Sequence, residues 1–161
     1  MAGSLQIDTS GVIVHCPQCL KANRLRFETL NRPTRCGHCK TQLAAPDAPI
    51  EVRSSEAFDA ASQTSALPLI VDFWAEWCGP CRMVAPELER VARTNAGRYL
   101  VVKIDTDAVT DLAARFRIRS IPTLAVVYRG QEIERVAGAR SAPDIEAFVA
   151  KALESHERRA S

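Results

Sequence analysis

One segment constrains this chain more than any other: Val71-Asp72-Phe73-Trp74-Ala75-Glu76-Trp77-Cys78-Gly79-Pro80-Cys81. An apolar, strand-like run enters a tight Cys-x-x-Cys turn, and Met83, Val84, Leu88 and Val91 then recur at helical spacing. A strand that turns straight into a helix puts Cys78 at the helix start, where unpaired backbone N–H groups and the macrodipole favour a thiolate. Cys81, one turn in, can attack any mixed disulfide that Cys78 forms. The order of the residues therefore points to disulfide exchange, with Cys78 as the nucleophile and more exposed thiol and Cys81 as the shielded, resolving thiol.

The flanking pattern alternates strand with helix. Ile50–Arg53, Leu67–Ala75, Tyr99–Ile104, Thr123–Tyr128 and Glu132–Val136 read as strands, the last two joined as a hairpin across Arg129-Gly130-Gln131. Helices are expected over Glu56–Thr64 with Ser54 or Ser55 at the cap, over Pro80–Thr94 with a kink at Pro86, and over Val109–Phe116. A last helix should start at Ser141-Ala142-Pro143-Asp144 and fray near Ser155. Strand, helix, strand, helix, hairpin and helix in that order give an α/β fold, a mixed sheet with helices on both faces.

Ahead of this body lie Cys16-Pro17-Gln18-Cys19 and Cys36-Gly37-His38-Cys39, separated by sixteen residues. That spacing fits a four-cysteine zinc site, with Cys16, Cys19, Cys36 and Cys39 as ligands. A segment of about fifty residues with few large apolar groups has little core of its own, and a structural zinc contributes roughly 10–16 kcal/mol of apparent binding energy. One Zn²⁺ is expected, with iron in a rubredoxin-like site as the alternative and no bound organic cofactor. Cys36-Gly37-His38-Cys39 also has the residues of a disulfide-isomerase centre. Thr34-Arg35 precedes it in place of an apolar strand and no helical run follows, so the metal reading takes precedence; His15 and His38 are read as bystanders.

Residues 1–50 carry six Lys/Arg against three acids and residues 51–161 fifteen against sixteen. Four thiolates plus Zn²⁺ would lower the first of these balances by two, and Phe27 offers no aromatic platform, so nucleic acid is not an expected partner. Ala44-Ala45-Pro46-Asp47-Ala48-Pro49 reads as a semi-stiff connection. The expected division is a metal-binding domain over 1–45, a linker over 46–49, a domain carrying the redox pair over 50–155 and a flexible tail over 156–161. The longest apolar stretches, Leu67–Ala75 and Thr123–Tyr128, are too short to cross a bilayer. Six cysteines without a secretion signal argue for a cytoplasmic protein, where thiols serve metals or catalysis.

Trp77-Cys78-Gly79-Pro80-Cys81, the preceding Val71–Glu76 and the later Ser120-Ile121-Pro122-Thr123 resemble the thioredoxins, over about Ile50 to Leu153. Taken with the four-cysteine segment, the whole chain resembles the zinc-containing thioredoxins of bacteria. The resemblance implies the thioredoxin fold and a redox-active disulfide between Cys78 and Cys81. Gly79 and Pro80 between the cysteines resemble the reducing members. Asp72 takes the place of a buried carboxyl that accepts the Cys81 proton, and Lys103 that of the lysine paired with it. Ile121 and Pro122 match the cis-proline loop that faces the cysteines and pairs with an extended substrate. Trp77, Gly138 and Ala139 match the apolar substrate-binding rim, while Trp74 is read as packing. Arg82 stands where many members carry lysine; both are cations, and little change is expected.

The resulting expectation is a monomeric protein-disulfide reductase, recharged by NADPH-dependent thioredoxin reductase and acting on disulfide-bearing proteins. The alternatives are a disulfide oxidase or isomerase, and a zinc-dependent redox-sensing chaperone or binding module.

Overall fold

The computed structural model describes residues 4–160. In chain order the elements are β1 (Leu5–Ile7), β2 (Gly11–His15), β3 (Ala22–Arg26), a 3-10 turn (Phe27–Thr29), β4 (Thr34–Arg35), β5 (Gln42–Leu43) and β6 (Ile50–Val52). They continue as α1 (Ser55–Thr64), β7 (Leu69–Trp74), α2 (Gly79–Thr94), β8 (Leu100–Asp105), α3 (Thr110–Arg115), β9 (Thr123–Tyr128), β10 (Gln131–Ala137) and α4 (Ala142–Ala160).

Leu69-Ile70-Val71-Asp72-Phe73-Trp74 has no polar face, and β7 accordingly lies inside the sheet, parallel to β8 and antiparallel to β9. Its alternating side chains serve two cores. Leu69, Val71 and Phe73 pack in one cluster with Phe58 and Ala61 of α1 and Leu112 of α3. Ile70 packs on the other face with Val84, Leu88 and Val91 of α2 and Ile145 and Val149 of α4. Asp72 shares the parity of Ile70 and so stands on the face that α2 covers.

The expected elements of the body are present. Ser54 caps α1, its Oγ accepting from the Ala57 N–H at 3.2 Å. The β9–β10 hairpin closes through Arg129 and Gly130, both at positive φ (52° and 78°), the pair of conformations a two-residue turn of this hand requires. α2 runs on through Pro86 as one helix. α4 continues to Ala160, past the expected fraying near Ser155: His156 stands edge-on to Tyr128, ring centroids 6.2 Å apart, and Arg158 lies 3.9 Å from Glu154 one turn back. No helix among the described residues is long and apolar enough to cross a membrane.

The expectation of a small zinc-knuckle or ribbon domain names no individual strands before Ile50, and the structure has five among the described residues. β1 pairs with β6 in parallel, and β2 and β3 follow antiparallel, so one eight-stranded sheet runs β10-β9-β7-β8-β6-β1-β2-β3. Residues 46–49 are part of the packing: Pro46 and Pro49 are buried, and the Pro49 carbonyl accepts from the Leu5 N–H at 2.9 Å. Val12, Leu25, Phe27, Leu30 and Leu43 join the cluster of Val52, Phe58 and Leu67. The amino-terminal segment thus shares the core of the body. A Cβ at Gly11 would stand 2.2 Å from the Leu25 carbonyl oxygen, so β2 and β3 can approach this closely only with glycine there.

Candidate redox centre and four-cysteine cluster

β7 ends at Trp74, and the turn after it delivers Cys78 to the N-cap of α2 with extended backbone (φ −84°, ψ 110°). Cys78 and Cys81 form a disulfide, with Cα atoms 5.3 Å apart. The Cys81 N–H points at Cys78 Sγ (3.2 Å), so an otherwise unpaired amide of the first helical turn is spent on that sulfur. Pro80, in the same turn, removes a donor that would have no helical partner. The expected difference in exposure between the cysteines is not present: Cys78 is 3% exposed and Cys81 4%. In the disulfide form Cys78 packs against Trp74 and Ile121, its sulfur 3.8 Å from the Ile121 carbonyl oxygen, so position on the helix distinguishes the two sulfurs and exposure does not.

Ile121–Pro122 is a cis peptide bond, as expected. The loop is held from both sides. Thr123 Oγ1 donates to the Ser120 carbonyl at 2.6 Å, and the Gly138 N–H donates to the Pro122 carbonyl at 2.9 Å, with Gly138 at φ +100°. The latter bond brings the Gly138–Ala139 corner beside the loop that faces Cys78. Gly79, Pro80, Gly138 and Ala139 are exposed around the disulfide and Ile121 is half-buried. Trp77 is 69% exposed, yet its indole N–H donates to Asp107 Oδ2 at 2.7 Å. Asp107 is a residue that sequence reading misses, because only the return of β8 brings its loop to Trp77. Met83, exposed on α2, lines a shallow groove with Ala139 and Arg140, although periodicity assigns it to the core.

Asp72 is buried, and its Oδ1 has no hydrogen-bond partner among the described residues. Burial pushes its carboxyl up to about 7, against the opposing pull of the Lys103 charge. Register brings Lys103 to it: the two residues sit opposite each other on the parallel strands β7 and β8. The Lys103 ammonium lies 4.3 Å from the centroid of the Trp74 ring and no carboxylate of the described residues is within 4.0 Å of it, so it acts on Asp72 through space. Lys103 is half-buried.

The other four cysteines converge at the far end of the sheet as free thiols. The two knuckles share one geometry. Leu20 and Lys40 have positive φ (65° and 66°), and their amides donate to the Cys16 and Cys36 carbonyls at 2.9 and 3.0 Å. The Cys16 and Cys36 amides donate in turn to the Lys21 and Thr41 carbonyls, at 2.9 and 2.8 Å, and close the return. The sulfurs face each other across the knuckles, Cys16 to Cys39 and Cys19 to Cys36 at 3.6 Å, and all four lie within 4.8 Å of one another. Sulfurs at the corners of a tetrahedron about 2.3 Å from a central ion stand about 3.8 Å apart, so the set fits a tetrahedral metal ion.

Donors around the sulfurs favour thiolates. The Cys39 amide, the Asn23 side chain (3.4 Å) and the His38 amide (3.4 Å) hold Cys36 down to about 5. Thr41, through its hydroxyl and its amide, lowers Cys39 as well. Cys19 keeps a backbone hydrogen bond from Lys21 that favours its thiolate, but burial and the neighbouring thiols push it up to about 11. Asn23 was not legible as a partner: it sits on β3 and ties the second knuckle by accepting from the Gly37 N–H at 3.0 Å. Neither His15 nor His38 belongs to the cluster.

A profile of the Thioredoxin family matches residues 49–151. "Thioredoxin C-3" of Corynebacterium nephridii is 37% identical over 147 residues, 91% of this chain and 99% of that protein. An alignment of that length passes through all four amino-terminal cysteines as well as the redox pair. The "Bifunctional thioredoxin reductase/thioredoxin" of Mycobacterium leprae is 43% identical over 91 residues, 56% of this chain and 20% of that protein. Among solved structures, a mutant thioredoxin from Halobacterium salinarum NRC-1 superposes with a TM-score of 0.61 at 30% identity, covering 68% of this chain and 94% of that one.

Proposed function

The chain belongs to the thioredoxin family, oxidoreductases acting on protein disulfides, and from that premise we propose that it is a cytoplasmic, monomeric protein-disulfide reductase recharged by NADPH-dependent thioredoxin reductase. The observation that carries the reading is one arrangement: a disulfide at the start of a helix, facing a cis-proline loop, on the sheet face that also holds an unpartnered buried carboxyl. The Mycobacterium leprae relative, whose name joins a reductase and a thioredoxin in one chain, supports the choice of electron donor. Four cysteines spaced and gathered as a metal-ligand set, not as structural disulfides, support a reducing compartment.

In this reading the Cys78 thiolate attacks a target disulfide, one target sulfur leaves as thiolate, and a mixed disulfide forms. Ile121 presents its backbone to the extended target chain while Trp77, Gly79, Pro80, Gly138 and Ala139 border it. Cys81 passes its proton to Asp72, directly or through a water. The pKa of about 7 suits Asp72 to hold that proton near neutrality, and Lys103 keeps it from rising further. The Cys81 thiolate then attacks Cys78 Sγ, the second target sulfur leaves and takes up a proton, and two electrons have moved to the target.

Cys16, Cys19, Cys36 and Cys39 would hold one Zn²⁺, which supplies a structural cross-link among residues with little core of their own. Consumption of NADPH by the metal-loaded chain with thioredoxin reductase and a protein disulfide tests the whole reading. Sustained turnover is expected. Silence with Cys78 and Cys81 confirmed as thiols would overturn it in favour of an oxidant or isomerase.

A further inference from the structure

We propose that Arg82 is a positioning residue of the redox turn, its forked guanidinium holding Cys81 within bonding reach of Cys78 once the disulfide is open; the inference rests on the reductase reading above. Arg82 follows the second cysteine, and its Nε–H and Nη2–H both donate to the Glu76 carbonyl, at 3.1 and 2.7 Å. Besides the Cys81 N–H on Cys78 Sγ (3.2 Å), which lies within the cysteine pair itself, two backbone–backbone bonds hold this turn. The Cys78 N–H donates to the Ala75 carbonyl at 3.1 Å and the Arg82 N–H to the Cys78 carbonyl at 3.3 Å. The first ends at Cys78 and the second begins there. Among the described residues, only the guanidinium bridge spans from before Cys78 to beyond Cys81, closing residues 76–82 into a ring parallel to the disulfide.

The bridge uses the shape of arginine more than its charge. No carboxylate of the described residues lies within 4.0 Å of the guanidinium; both near donors go to one carbonyl oxygen. A lysine ammonium is a single point donor on a flexible stem and cannot chelate that oxygen in the same way. The proposal departs in this from the expectation that arginine and lysine are equivalent here.

Its consequence falls on one step. In the mixed disulfide the Cys78–Cys81 bond is absent, and the Cys81 thiolate must attack Cys78 Sγ, forming the internal disulfide while the Cys78–target bond breaks and the electron pair leaves on the target sulfur. The bridge keeps that thiolate close and so raises its effective concentration. It does not act on the first attack, which is bimolecular.

The test uses Arg82→Lys and Arg82→Met in the full chain, reduced and mixed with the aromatic disulfide 5,5′-dithiobis(2-nitrobenzoate). Attack by Cys78 releases one coloured thiolate and resolution by Cys81 the second, so the two steps are read separately. Arg82→Lys is expected to slow the second release about threefold to tenfold, the size of one ordinary net hydrogen bond, with the first release within about twofold of the parent. Equilibration with dithiothreitol should show the internal disulfide weakened by the same factor, where tenfold equals about 30 mV. Arg82→Met, which keeps the stem and loses the charge, should slow resolution at least as much. Arg82→Lys matching the parent in both measurements would overturn the proposal. So would equal slowing of both releases, or a lowered melting temperature with an unchanged second release. Failure of the reductase reading appears elsewhere, as a parent protein that releases both thiolates yet consumes no NADPH with thioredoxin reductase.

Discussion

Cys78-Gly79-Pro80-Cys81 and Cys36-Gly37-His38-Cys39 share a spacing and a second residue, yet one pair is a disulfide and the other belongs to a cluster of four thiols. Both begin alike: the residue after the second cysteine donates its N–H to the first cysteine's carbonyl, Arg82 to Cys78 at 3.3 Å and Lys40 to Cys36 at 3.0 Å. They part at that residue. Lys40 turns left-handed, at φ 66°, and the chain folds straight back so that the Cys36 amide meets the Thr41 carbonyl. Arg82 continues into a helix that runs to Thr94. A back-folded turn presents both sulfurs outward to a second knuckle, whereas a helical turn faces them toward each other. The comparison teaches that the residues following the motif decide its chemistry.

Breaking the metal side of the comparison should have the largest effect on the fold. Chelation, or Cys36→Ser, is expected to remove metal and lower the melting temperature steeply, because β1 to β3 belong to the same sheet and core as the redox body. Metal content and calorimetry check this, and an unchanged melting temperature in the metal-free protein would sink it. Breaking the redox side should do the reverse. Cys78→Ser is expected to abolish turnover, by at least about a thousandfold, while metal content stays whole; Cys81→Ser should hold targets as isolable mixed disulfides.

Asp72 sharpens the contrast through pH. Its folded carboxyl is raised to about 7 from 3.8, so the native state holds a proton that the unfolded chain releases earlier. The Asp72 contribution to stability should therefore be fully present below about pH 4, fall as pH rises toward 7 and level off above it, a total on the order of 4 kcal/mol. Asp72→Asn should flatten that fall, gaining relative to the parent at pH 8 while slowing resolution. Denaturant unfolding at pH 4 and pH 8 measures it, and parallel profiles for the two proteins would refute the role of burial. The smallest expected effect is at the rim. Asp107→Ala frees the Trp77 indole and should raise KM for a protein disulfide about threefold to tenfold with kcat little altered, measured in the coupled reductase assay.

Much of this was readable before the structure. The strand of Leu69–Trp74, the helix start at Cys78 and the pairing of four cysteines follow from local pattern, because a buried strand needs apolar residues throughout and metal ligands need short, tight spacings. Asp72 stood out as a carboxyl inside an apolar run. Missing were the residues whose roles depend on distant partners: Asp107 on Trp77, Asn23 on Cys36 and the Arg82 bridge to Glu76. The amino-terminal strands escaped notice for a related reason. Segments such as Leu5–Ile7 are three residues long and become strands only when β6 offers an edge.

By itself, then, the sequence determined the family, the order of the elements from Ile50 onward and the grouping of the cysteines into a redox pair and a set of four, because these depend on residues within a turn or two of one another. Tertiary structure alone decided that the four-cysteine segment extends the same sheet, that Cys78 is covered by Ile121 in the disulfide form, and that Lys103 stands opposite Asp72. Each of those is a matter of register or packing between distant segments, set by how whole faces bury together.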